Sequence, residues 1–253
     1  MQTSNTPDHT RPPTFQPPRA PFRGVATTAG VMYLITIVAS IPAQFVSYAP
    51  VLNNADYVLG AGADTRVMWG GLLEVITALA CIGTAVVLFP VVRRQHEGAA
   101  LGFVTARVFE ASLIITGVVA MLSVVTLRQP SASGADAAAR LVTSEALVAA
   151  HDWTFILGPG VMPGINAVLL GYVMYRSGLV PRAIPAIGLL GAPLFLVAGA
   201  ATVVGVNEPG SVWTALATLP IFAWEASLGV WLTARGFKAD AVRRLCAGDQ
   251  ASV

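Results

Sequence analysis

The sequence predicts an all-α fold: an integral membrane bundle of six transmembrane helices with both termini cytoplasmic. Three observations carry that prediction. Six stretches are apolar over the length that hydrocarbon demands, about 20 residues. The 253-residue chain is 55% hydrophobic and only 11% charged, with a mean hydropathy of +0.69, whereas globular domains carry roughly 25% charged residues. The basic residues are also asymmetric. Arg11, Arg19, Arg23, Arg93, Arg94, Arg176, Arg182, Arg235, Lys238, Arg243 and Arg244 fall on one side, and Arg66, Arg128 and Arg140 on the other. The excess of Lys and Arg marks the cytoplasmic side, and an even number of spans returns the chain there.

The elements follow in order. Residues 1–22 are rich in proline and polar side chains, cannot build a core, and read as a disordered leader. The first apolar run, Val25–Tyr48, is longer than a signal-peptide core of about 7–15 residues and reads as a retained helix. Further spans are Val67–Val92, Leu101–Leu127, Leu147–Tyr175, Ile184–Val206 and Val212–Ala234. No period-two alternation runs through them, so strands are a poor alternative. Segments 50–66 and 128–146 read as polar connections, and Asn207-Glu208-Pro209-Gly210-Ser211 as a short turn. The membrane domain is 23–238. Residues 239–253 form a cytoplasmic tail; the stretch from Arg235 onward is basic and reads as solvated rather than as lying on the anionic leaflet. Cys81 sits in an apolar run and Cys246 in the tail, so no structural disulfide is expected.

Three ionisable residues lie deep inside the apolar runs. Arg107 and Glu110 are three apart and share a helix face. An isolated ion at the bilayer centre costs about 2.5–3.5 kcal/mol even on a lenient scale, so such groups face inward and find partners. Glu110 and Glu225 each lie roughly 13 Å from the cytoplasmic end of their predicted helices. One arginine between two glutamates makes a buried triad. Such a triad is either a clamp that fixes helix register or a centre that binds a proton or a substrate.

A second polar group lies toward the outer face. Glu74 is in the opening turns of the second span. His151 and Asp152 open the fourth, with Glu145 just before them. A histidine with carboxylates could hold a metal ion, but the spacing matches no ligand signature and no metal is assigned. The fourth span also contains Leu157-Gly158-Pro159-Gly160-Val161-Met162-Pro163-Gly164. Two prolines and three glycines predict a kink or partial unwinding. Transporters place such breaks at binding sites; the milder reading is close packing through Gly160, Gly164 and Gly171. Phe109-Glu110-Ala111-Ser112-Leu113 is echoed by Trp224-Glu225-Ala226-Ser227-Leu228, as in a weak inverted repeat.

Several classes find no support. His151 is the one histidine within a span, so a bis-histidine haem has no ligands. His96-Glu97 lacks the second histidine of a zinc protease, and neither a G-x-S-x-G elbow nor a phosphate-binding loop occurs. A net charge of +2 gives no nucleic-acid signal. No cofactor is indicated, and the partners expected are the lipid bilayer and a small-molecule or proton ligand.

Four pieces carry a family resemblance: Ala29-Gly30-Val31-Met32-Tyr33-Leu34-Ile35-Thr36-Ile37-Val38-Ala39, Arg107-Val108-Phe109-Glu110-Ala111, the run from Leu170 to Arg182, and Glu225-Ala226-Ser227-Leu228-Gly229-Val230-Trp231-Leu232. With these the chain resembles the bacterial six-helix membrane proteins grouped as a domain of unknown function, DUF4386, over about residues 23–238. The resemblance implies a membrane protein and places Arg107, Glu110, His151 and Glu225 at family-like positions. It carries no established activity.

The leading expectation is a small transporter-like or ligand-binding bundle. Arg107, Glu110 and Glu225 would form its centre, and Glu74, His151 and Asp152 an outer vestibule. Two alternatives stand beside it: an intramembrane metal-dependent enzyme using the outer His/Asp/Glu group, and a non-catalytic scaffold or regulatory partner.

Overall fold

A computed structural model describes residues 22–60, 62–128 and 132–250. The expected disordered leader and the Cys246 side chain lie outside the described residues. The helices are α1 (Arg23–Pro42), α2 (Ala49–Leu52), α3 (Asp64–Val92), α4 (Glu97–Leu127), α5 (Gly134–Leu157), α6 (Met162–Ser177), α7 (Ala183–Val203), α8 (Val212–Ala234) and α9 (Ala239–Gln250). No strand occurs among the described residues. Among the described residues six helical stretches are long and apolar enough to cross a membrane, with α1–α2 and α5–α6 each counting as one. Val38, Phe45, Leu79, Val119, Leu190 and Val197 are more than half exposed along these stretches. A belt of that kind suits acyl chains, not water.

Within the bundle α1 packs between α3 and α8. Helix α4 packs on α3, α5 and α6, and α7 lies between α6 and α8. Small residues set the spacing. A Cβ on Gly30 would stand 2.6 Å from the Thr233 nitrogen and 2.7 Å from the Gly229 carbonyl oxygen of α8. Gly188 meets the Trp224 ring, and Gly191 meets Pro220, in the same manner. Backbones approach this closely in membranes because packing, not water exclusion, drives helix association there.

The connections gather at two ends. At one, the Lys238 N–H donates to the Leu179 carbonyl at 2.8 Å. There Arg23 also donates to the carbonyls of Thr233 and Ala234 at 3.2 and 3.0 Å. This basic end carries the Arg93–Gln95 and Gly178–Arg182 connections. At the opposite end the Tyr57 hydroxyl donates to Asp64 at 2.7 Å. Arg128 pairs with Asp64 and donates to the Gly60 carbonyl at 2.8 Å, and Arg140 donates to the Leu127 carbonyl at 2.6 Å.

Four expectations need correction. Segment 128–146 is not a loop throughout: α5 starts at Gly134, because Ala135, Ala137, Ala138 and Ala139 favour helix whatever their hydropathy. The first span is not one regular helix, since Ala43–Ser47 forms a π-turn after Pro42. The tail is not merely solvated, because α9 buries Ala241, Val242 and Leu245 against the bundle core. Finally, Gly160 shares no helix face with Gly164 and Gly171; it lies in the break between α5 and α6. Gly164 and Gly171 do serve close packing, against Leu196 and Leu189 of α7.

Candidate functional site

The embedded charges converge. The Arg107 guanidinium donates from Nη1 to Glu110 Oε2 at 3.1 Å and from Nη2 to Glu225 Oε1 at 2.7 Å. Arg107 and Glu110 are buried, and Glu225 is half-buried with its side chain 15% exposed. The i, i+3 spacing on α4 makes the first contact local, and the approach of α8 makes the second. Glu110 lies about 20 Å along α4 rather than 13, because the helix begins at Glu97 and not Leu101.

Four partners escaped the sequence reading. Asn166 Nδ2 donates to Glu110 Oε2 at 2.8 Å. Cys81 Sγ accepts from Arg107 Nη1 at 3.6 Å. The rings of Tyr33 and Phe103 lie 5.0 and 5.8 Å from the guanidinium carbon, within cation–π reach. Asn166 could have been found as the single amide in the apolar run of α6. Tyr33 lies in the run Ala29–Ala39 that carries the family resemblance, but nothing in its spacing points to Arg107.

The outer group is only partly assembled. Glu74 and His151 line one small cleft with Gln44, Tyr48, Thr154 and Pro159, and with Ile114, Gly117 and Val118 of α4. Its open space is about 20 Å³, enough for one water-sized particle. His151 is buried, edge-on to the Tyr48 ring at 5.4 Å and stacked on Phe155 at 6.4 Å. Asp152 sits 3.3 Å from His151 Nδ1, but its side chain is 56% exposed and is not among the cleft residues. Glu145 is exposed as well. No three His, Cys, Asp or Glu side chains cluster as a metal set among the described residues.

Cleft and triad are stacked along α4. Gly117 lies two turns beyond Glu110, about 10 Å along the axis. Ala78, Cys81, Ala111 and Ile114 form a small apolar cluster beside them, with Cys81 touching Arg107 and Ile114 lining the cleft. Both backbone irregularities of the bundle border the cleft, with Gln44 in the π-turn and Pro159 in the α5–α6 break. Non-helical backbone at membrane depth is tolerated where it is buried in protein or lines a polar cavity.

With this geometry in hand, comparison with known families gives one match. The chain belongs to the family described as Domain of unknown function (DUF4386), whose model covers residues 28–236. No curated protein and no solved structure matches it. The match takes in the triad, the cleft and the six spans, the first of them from residue 28 onward.

Proposed function

We propose that the protein is a transporter-like, ligand-binding bundle of the bacterial cytoplasmic membrane, with both termini in the cytoplasm. Arg107, Glu110 and Glu225 form its binding centre, and the Glu74–His151 cleft is the outer vestibule, with Asp152 at its rim. One observation carries the reading. A single guanidinium faces two carboxylates in a buried site, so the set is short of one positive charge. A proton or a cationic ligand restores the balance, and a bilayer makes that balance worth several kcal/mol. The apolar cluster that touches the triad through Cys81 and the cleft through Ile114 supports a barrier between vestibule and centre. The lysine and arginine asymmetry supports the orientation.

A clamp-only role has its own support, since the rings of Tyr33 and Phe103 both lie within cation–π reach of the guanidinium. Glu110→Gln and Glu225→Gln variants separate the two readings. A working centre predicts that each variant reaches the membrane at normal levels yet fails to complement a deletion strain in growth or uptake. Infrared spectra of the purified protein should also lose a protonated-carboxyl band in one of them. Full complementation by both variants leaves only the clamp.

A further inference from the structure

Glu74 stands apart from the ion-pair pattern of the rest of the chain. Its side chain is buried on α3, and no hydrogen bond or ion pair reaches its carboxylate among the described residues. Three arginines have carboxylate partners of their own: Arg107 in the triad, Arg128 with Asp64 and Arg140 with Asp136. Beside Glu74 in the cleft, the Tyr48 hydroxyl is buried, 1% exposed for the residue, and has no hydrogen-bond partner. The Tyr48 ring is wedged against Gly70, one turn before Glu74, where a Cβ would stand 2.7 Å from the ring edge.

The broken helix supplies more oxygen. Gly160 N–H donates to Phe155, and Val161 and Met162 both donate to Gly158. The carbonyls of Ile156 and Leu157 thus receive none of the N–H groups that a continuous helix would give them. Pro163 has no N–H to offer Pro159, which lines the cleft. The end of α5 at Leu157 also carries the negative pole of its helix dipole.

We infer that this cleft is a binding site for a small monovalent cation, Na+, held by the Glu74 carboxylate, the Tyr48 hydroxyl and the main-chain carbonyl of Pro159 in the break after α5. Three features fix the chemistry. The donors are hard oxygens, which suit alkali and alkaline-earth ions. The single unpaired carboxylate balances one positive charge. The space holds an ion or a water, not an organic solute. Unwound backbone and half-helix C-termini coordinate coupling ions in membrane transporters in general. The inference deepens the vestibule part of the proposed function. Its readout needs no transported solute, so either can fail alone.

The test uses the full chain in detergent. Its unfolding midpoint is measured in NaCl, KCl and choline chloride at equal ionic strength, since an ion that binds only the folded state raises that midpoint. NaCl should raise it over choline chloride, and KCl less so. Glu74→Gln should lose the increment, and Tyr48→Phe should need roughly tenfold more Na+ to reach it, the loss of one ion-directed oxygen. Glu97→Gln, an exposed carboxylate at the basic end, should keep it. Should Glu74→Gln fail to fold, saturable binding of radioactive sodium to the wild-type protein, competed by NaCl and not by choline chloride, takes its place. An identical midpoint in NaCl and choline chloride overturns the site, as does an undiminished increment in Glu74→Gln or a lack of saturable sodium binding. A midpoint that follows pH but ignores Na+ makes this a proton site and overturns the Na+ assignment.

Discussion

Arg107 and Glu225 are 118 residues apart in the chain and 2.7 Å apart in the bundle. That contact joins α4 to α8, which belong to opposite halves of the sequence. Glu110 and Glu225 occupy the matching place in the echoed Glu-Ala-Ser-Leu pieces, and both reach the same guanidinium. The echo stops there: Phe109 is half exposed, while its counterpart Trp224 is buried against Gly188. What the two third spans share is a carboxylate aimed at one arginine.

Removing that arginine should be the most damaging single change in the bundle. Arg107→Leu leaves two carboxylates buried with no cation, a loss of about 3–5 kcal/mol for a broken buried pair. Changing Arg107, Glu110 and Glu225 together to leucine removes the orphaned charge and should recover most of the stability. Unfolding midpoints of the single and triple variants in detergent check this. A single variant as stable as wild type would mean that the contacts carry no net energy.

The spans and the triad were legible in the sequence because charge is so costly in hydrocarbon that each ion demands a partner. Neutral groups leave a fainter mark. Asn166 and Tyr33 cost far less to bury, so nothing in their spacing pointed to Arg107. Residues 134–146 were misread for a related reason: Asp136, Arg140 and Glu145 lower the hydropathy, while the alanines between them still favour helix. The outer group is brought together only in part. Glu74 and His151 share a cleft through helix rotation, and the adjacent Asp152 points off that face, as neighbouring residues on a helix must.

Gly30 tests the packing of α1 on α8. A methyl group there meets backbone atoms, which cannot swing aside. Gly30→Ala should destabilise by about 1–3 kcal/mol, the usual cost of overpacking. Gly24→Ala, six residues earlier with open space around it, should be neutral or slightly stabilising. Equal midpoints for the two variants would show that the α1–α8 contact is looser than described.

The 53–63 connection should open at alkaline pH. Burial, and then the hydrogen bond to Asp64, hold the Tyr57 hydroxyl above its ordinary value. A raised folded-state value means that the bond stabilises fully below about pH 10, the unfolded value, and loses its effect as pH rises beyond it. Cutting within 53–63 by an alkaline-tolerant protease should therefore accelerate above that pH. In Tyr57→Phe the cutting should be faster at neutral pH and lose that dependence. An unchanged wild-type rate on both sides of that pH would remove Tyr57 as the latch.

The proposed orientation rests on charge and is open to a direct experiment. The basic end gathers Arg23, Arg93, Arg94, Arg176, Arg182, Arg235 and Lys238, and each basic residue near an anionic leaflet contributes about 1 kcal/mol. Cys81 is buried, so replacing Cys246 by serine should leave no thiol open to a bulky reagent. Single cysteines at Asn53 and Glu208 mark the opposite end, and one at Gln95 marks the basic end; all three positions are exposed. A membrane-impermeant maleimide added to intact spheroplasts should label Asn53→Cys and Glu208→Cys, and reach Gln95→Cys only after permeabilisation. The reverse pattern would place both termini outside. It would also turn the Glu74 cleft toward the cytoplasm, so the side from which an ion enters rests on this one measurement.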